Sequence, residues 1–312
     1  MSALLATAES QLWGIDFTSA PCKKKPIVSA KASLFDGDLS INDICYWQSL
    51  TDFQEFLSQT SQPPWLASVD IPLGMPTQFL EDLQWPTSSW HACLMAIKAL
   101  PKPQFKETMA TFQAEQPTGK KQPKRLCDAL AKAQSPTKLH YIPTALMLYE
   151  GATRIATASN VSVWPCRVIE TSNQRLVEAY PALVLRSISA QHQKKLRPYK
   201  SDTQKSDTKP SDDHKCEREW LVNQLTSPGI KSSYGVSLTC SNTIKQAMIE
   251  DATGDTLDSV ACCIQAAWAY HHWEKLSHYF PNASSVEGWI VDPTLISPPV
   301  STPSPKHKET YL

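Results

Sequence analysis

Three short apolar runs in this chain end on a carboxylate, and a fourth apolar segment opens on two more. The runs are Leu12-Trp13-Gly14-Ile15 before Asp16, Trp65-Leu66-Ala67-Ser68-Val69 before Asp70, and Leu176-Val177 before Glu178. The fourth segment begins Asp255-Thr256-Leu257-Asp258 and continues into Val260-Ala261-Cys262-Cys263-Ile264. Ionised carboxylates at the ends of core elements are costly unless they are solvated, paired or bound to a metal. A chain that carries four such places must either find each one its own partner or gather them where cations can reach.

Each place also has a plain structural use. Asp16 can bond backbone amides at a strand end, and Asp70 can form a turn. Glu178 can open a helix ahead of Pro181. Asp255 and Asp258 can favour a helix dipole by about 0.3–1 kcal/mol each. Their joint placement is more specific. They fall on the first strand, on the strand after a helical crossover, on a later strand end, and on a late helix. Asp255 and Asp258 are three apart and share a helix face, which Asp251 extends by a turn. Leu257, Ala261, Ile264 and Trp268 form the neighbouring core stripe. A sheet and one covering helix can converge such carboxylates on divalent ions. Hard oxygen ligands suit Mg²⁺ or Mn²⁺. Two ions about 4 Å apart would serve phosphodiester cleavage.

The local pattern supplies the framework. Residues 12–18, 26–34 and 40–47 read as three strands, the last two joined by Asp36-Gly37-Asp38. Residues 49–59 place Phe53, Phe56 and Leu57 at helical spacing, with Ser49 or Thr51 as cap. Residues 65–70 form a buried strand that Pro72 and Gly74 stop, so Asp70 emerges near the sheet's carboxyl edge. Three strands, a helix and a strand give a mixed sheet with the first strand near its middle. Helices are expected at 88–100, 124–133 and 144–158, short strands at 161–164 and 175–178, and further helices at 216–225, 241–251 and 253–276. Residues 191–215 are strongly polar and read as a flexible surface loop. Residues 294–312, rich in Pro and Ser, read as a disordered tail.

At these residues the chain resembles the ribonuclease H-like superfamily, and within it domain-of-unknown-function family 429, described as predicted RNase H-like nucleases. The matching segments are Gly-Ile-Asp-Phe at 14–17, Val-Asp-Ile-Pro-Leu-Gly at 69–74, Val-Glu-Ala-Tyr-Pro at 177–181 and Gly-Asp-Thr-Leu-Asp-Ser at 254–259. Arg125 and Asp128 match an Arg-x-x-Asp element, and Tyr199-Lys200 matches loosely. The resemblance implies an α/β fold: a mixed five-stranded RNase H-like sheet with an antiparallel three-strand meander, flanked by helices. It covers one domain over residues 10–293, with a helical insertion at about 76–158. It also implies a metal-dependent nuclease-like site, with Asp16, Asp70, Glu178 and Asp258 catalytic and Asp255 sharing the metal ligation.

Composition narrows the alternatives. The 312 residues carry no net formal charge, so any nucleic-acid-binding surface must be local. Residues 102–132 hold seven Lys or Arg against three acids. Lys120, Lys121 and Arg125 are candidates to grip DNA or RNA phosphates, against the plainer reading of a solvated basic face. Nine glycines, with no Gly-rich phosphate loop and no Gly-x-Ser-x-Gly elbow, argue against nucleotide phosphotransfer and a hydrolase triad. The nine cysteines show no Cys-x-x-Cys pair, so reduced thiols are expected. No basic leader or membrane span is visible, and a cytoplasmic protein is expected. The leading expectation is a metal-dependent nuclease. The alternative is a non-catalytic nucleic-acid- or protein-binding member of the same fold.

Overall fold

The computed structural model describes residues 10–59, 63–200 and 212–296. The chain opens with β1 (Ser10–Asp16), β2 (Ile27–Phe35) and β3 (Asp38–Trp47), then α1 (Leu50–Ser58) and β4 (Trp65–Val69). Ser49 caps α1 in a reciprocal box with Asp52, and Phe53, Phe56 and Leu57 are its buried face. Six helices follow: α2 (Thr77–Asp82), α3 (Trp90–Ala99), α4 (Lys102–Glu115), α5 (Leu126–Ala131), α6 (Thr144–Met147) and α7 (Thr153–Thr157). A π-helical turn, Leu148–Ala152, joins the last two. Then come β5 (Ser162–Val163), β6 (Gln174–Glu178), α8 (Pro181–Gln191), α9 (Asp212–Leu225), α10 (Gly229–Tyr234), β7 (Ser237–Cys240), α11 (Asn242–Glu250), α12 (Asp255–His272) and α13 (Leu276–Tyr279).

The sheet has seven strands in the order β5-β6-β4-β1-β2-β3-β7. β1, β2 and β3 form the antiparallel meander, while β4 pairs parallel with β1 and β6, β5 with β6, and β7 with β3. The architecture is thus mixed α/β with β1 at the centre, and the expected count of five strands is corrected to seven. β7 is only four residues long and falls where no strand is expected, between the helices expected at 216–225 and 241–251. It survives by pairing Ser237–Cys240 along the Asp38–Ile41 edge of β3 and burying Leu238. α4 was likewise unforeseen, since Pro101 and Pro103 look like breakers. Pro103 lies in the first turn, where a missing N–H costs nothing. α9 begins at Asp212 rather than at 216. The polar loop's residues 201–211 and the tail's residues 297–312 lie outside the described residues. Among the described residues no helix is long and apolar enough to cross a membrane. All nine cysteines are free.

The pleat sorts the sheet into two cores. Leu12, Leu66 and Val177 pack with Leu257, Val260, Ala261 and Ile264 of α12 on one face. Trp13, Ile15, Ala67, Val69 and Leu176 pack with Phe53, Phe56 and the insertion helices on the other. Alternate residues of β1 and β4 therefore face α12. Gly14 is what lets that helix settle. A Cβ there would lie 2.1 Å from both the Cys263 nitrogen and the Ser259 oxygen, so the two backbones touch. On β4, the Ser68 hydroxyl donates to the Cys262 carbonyl at 2.5 Å. This close seating buries α12 from Asp255 to Ala269 and sets its N-terminal turn over the carboxyl ends of β1 and β4.

Candidate active site

Asp16 and Asp70 are brought side by side by strand register. β1 and β4 pair up to Ile15 opposite Val69, and the Asp70 N–H donates to the Ile15 carbonyl at 2.9 Å. Each aspartate is the next residue along. Each also continues the pleat phase that faces α12: Leu12, Gly14 and Asp16 on one strand, Leu66, Ser68 and Asp70 on the other. Both side chains are half-buried. Asp255 and Asp258 descend on them from the first turn of α12 and are themselves buried. Among the described residues neither Asp16 nor Asp70 has a side-chain hydrogen bond or ion pair.

Tyr199 and Lys200, the loosely matching pair inside the polar tract expected to be flexible, complete the cleft. Lys200 places its Nζ 2.5 Å from Asp258 Oδ2 and 3.4 Å from Asp255 Oδ1. The Tyr199 hydroxyl donates to Asp258 Oδ1 at 2.7 Å. The backbone of this dipeptide is held in turn, because Arg218 Nη1 donates to the Tyr199 carbonyl at 2.7 Å. Gly254, at φ +73°, leaves a saddle for both side chains; a Cβ there would stand 3.0 Å from Lys200 Cγ and 3.1 Å from Tyr199 Cε2. Asp251, expected to extend the acidic face, turns away. Its carboxylate accepts from the N–H groups of Thr253 and Thr256 and caps the start of α12.

The electrostatics follow from four carboxylates facing one ammonium. Burial raises the Asp16 carboxyl well above its ordinary range, and Asp255 adds to the shift while Lys200 opposes it. Asp70 is pushed up to about 7, again by burial first, then by Asp258, with Lys200 opposing. Burial raises Asp258 too, against the counter-pull of Lys200 and the hydrogen bonds from Lys200 and Tyr199. Lys200 goes the other way: desolvation lowers it, but Asp258 and Asp16 outweigh that and hold its ammonium well above the usual lysine range. Yet 43% of its side chain is solvent-accessible, so the ammonium reaches the cleft from its open side.

Glu178 does not join them. It lies opposite Val69 in register, one residue short of Asp70, so the pleat turns it to the other face of the sheet. There it meets Arg125, which is 2% exposed. Arg125 spends all five N–H donors within the protein. Nε and Nη2 bind Asp128 at 3.0 and 2.7 Å, and Nη1 and Nη2 bind Glu178 at 2.8 and 2.5 Å. The fifth bond runs from Nη1 to the Glu287 carbonyl at 2.8 Å. Glu178 Oε2 also accepts from the Leu73 N–H at 3.0 Å. Two corrections follow. Arg125 has no donor left for a substrate phosphate, and Glu178 is a structural anion rather than a cleft ligand. Asp128, which matched the same sequence element as Arg125, supplies the third member of this node. Lys120 and Lys121 are exposed, and no described contact links them to the acidic cleft.

The chain matches no family model, no curated protein and no solved structure. Oxygen-only donors suit a hard divalent ion. Of the four cleft carboxylates, Asp16 and Asp70 have no bonded partner among the described residues. Among the described residues no group of three or more His, Cys, Asp or Glu side chains is arranged to hold a metal ion. Lys200 bridges Asp255 and Asp258, the pair on α12. If the cleft takes a hard divalent ion, Asp16 and Asp70 are the side chains that could hold it.

Proposed function

We propose that this chain is a metal-dependent nuclease that hydrolyses phosphodiester bonds in DNA or RNA at the Asp16–Asp70–Asp255–Asp258 cleft, on an RNase H-like fold. The observation that carries this reading is the pair Asp16 and Asp70: adjacent by register, surrounded by protein, and without a bonded cation. An enclosure that raises the proton affinity of its carboxylates is an enclosure that gains from a divalent ion. Asp16 and Asp70 would hold Mg²⁺ or Mn²⁺. The bound ion would supply Lewis acidity and positive charge toward a phosphate. The order of three antiparallel strands, a helix and a parallel strand supports the fold assignment, as do the Val-Asp-Ile-Pro and Val-Glu-Ala-Tyr-Pro segments. In this reading Asp258 and Asp255 shape the second side of the cleft. Lys120 and Lys121 are the free basic residues for backbone contact with nucleic acid.

A specific observation favours a second reading. Lys200 and Tyr199 already satisfy Asp258, which is what a binding protein without turnover would retain. The two readings part in one assay. Fluorescent DNA and RNA oligonucleotides are incubated with the full chain in Mn²⁺, beside the Asp16→Asn variant. Products that require Mn²⁺ and disappear in the variant support the nuclease. Salt-sensitive retention with no product in either protein supports the binding reading and removes the nuclease.

A further inference from the structure

Lys200 is the one charged residue of the cleft that is not an acid, and its surroundings are built for it. Three separate elements fix its position. Arg218 of α9 bonds the Tyr199 carbonyl and, through Nε, the Ile249 carbonyl of α11, both at 2.7 Å. The Tyr199 hydroxyl is tied to Asp258. Gly254 supplies a saddle where a Cβ would crowd both Lys200 and Tyr199, in a backbone conformation that itself favours glycine. An ammonium that merely drifted onto an acidic surface would not need a buried arginine, a tyrosine and a positive-φ glycine behind it.

The carboxylates divide accordingly. Asp258 and Asp255 already face a cation at 2.5 and 3.4 Å. Asp16 and Asp70 feel the same ammonium through space, but among the described residues neither has an ion pair of its own. A second divalent ion between Asp258 and its neighbours would have to share a few ångströms with a full positive charge that the fold has placed there. We propose, resting on the metal-dependent reading above, that Lys200 is a positioning residue that takes the place of a second metal ion. It holds Asp255 and Asp258 and supplies the second positive charge, so the site binds one divalent cation, at Asp16 and Asp70. The two-ion arrangement expected from the carboxylate pattern is thereby reduced to one ion and one ammonium.

The proposal fixes a stoichiometry, which a merely structural lysine would not change. Mn²⁺ bound per chain is measured at pH 8 by equilibrium dialysis with metal analysis, on the wild-type protein, Lys200→Met, Lys200→Arg and Asp16→Asn, each checked for native circular dichroism. The expected result is one Mn²⁺ in wild type and in Lys200→Arg, two in Lys200→Met, and none in Asp16→Asn. Two ions in the wild-type protein would overturn the inference while leaving the metal reading intact. One ion in Lys200→Met would also overturn it, because the vacated position then attracts nothing. No ion in wild type would remove the metal reading itself, and the inference with it. If Lys200→Met does not fold, Lys200→Gln is substituted, and the count in wild type alone still decides between one ion and two.

Discussion

Two carboxylate clusters lie on opposite faces of the same strand ends, and they solve the cost of buried charge in opposite ways. In the node formed by Arg125, Asp128 and Glu178, one guanidinium meets two carboxylates, and every N–H has an acceptor. In the cleft formed by Asp16, Asp70, Asp255 and Asp258, one ammonium meets four carboxylates, and two of them have no bonded partner. The residue types are nearly the same. What separates a structural ion cluster from a candidate active site here is donor satisfaction, not burial and not the number of acids. A fully bonded node resists change and ties α5 of the insertion to β6. An under-bonded cleft stores electrostatic repulsion that a cation can release.

The difference can be broken by mutation, and the largest effect should fall on the node. Arg125→Met leaves two buried carboxylates without their cation and should destabilise the chain by roughly 3–5 kcal/mol, read by urea unfolding at pH 7. Lys200→Met should destabilise less than Arg125→Met in the same experiment, because 43% of the Lys200 side chain reaches solvent while Arg125 is buried. Equal losses from the two variants would erase the contrast.

Removing a carboxylate should act with opposite sign in the two clusters. Glu178→Gln breaks a bidentate pair and should lower the midpoint of thermal unfolding. Asp16→Asn relieves repulsion and should raise the metal-free midpoint at pH 8. The same Asp16→Asn change should reduce Mn²⁺-dependent hydrolysis by roughly 10³-fold. A variant that loses both stability and activity would mark Asp16 as structural.

The pH response sharpens the same point. Asp70 has its carboxyl pushed up to about 7 in the folded protein. A raised carboxyl favours the folded state only while protonated. Its contribution is most favourable below about pH 4, where the unfolded chain is protonated too, and declines as pH climbs to about 7. The stability of metal-free wild type minus that of Asp70→Asn should therefore fall over that interval and then level off. Saturating Mn²⁺ at pH 8 should restore the wild-type protein and leave Asp70→Asn nearly unmoved. A flat difference across the interval would show that Asp70 ionises freely. The smallest effect belongs to the exposed lysines: Lys120→Ala with Lys121→Ala should weaken nucleic-acid retention a few-fold and flatten its salt dependence by about two phosphate contacts, with both clusters untouched.

Part of this division was legible in the sequence. Pro72 and Gly74 end β4 beyond Asp70, and period-2 alternation through Leu12 and Gly14 points Asp16 the same way as Leu66 and Ser68 point Asp70. The Asp255–Asp258 spacing placed both on one helix face. Glu178 was assigned to the wrong cluster because its side depends on register: it pairs with Val69, not with Asp70, and a shift of one residue reverses the face. Arg125 looked like a phosphate ligand because it follows Lys120, Lys121 and Lys124, and its burial is set by tertiary contacts with Glu178 and Glu287. Lys200 lies in a polar tract whose composition reads as solvated, and the loose match of Tyr199-Lys200 to the family pattern is what marks it. The local sign was the Pro198-Tyr199 step beside it, an apolar break in a charged run, and only packing on Gly254 gives that step its meaning.

The most direct measurement is the position of a bound ion. Crystals of the full chain soaked in Mn²⁺ at pH 8 and measured for anomalous scattering should show a peak with one oxygen each from Asp16 and Asp70 among its ligands, and Lys200 still on Asp258. Absence of a peak at those two aspartates under saturating Mn²⁺, with both found protonated and hydrogen-bonded to each other or to protein donors, would contradict the central claim.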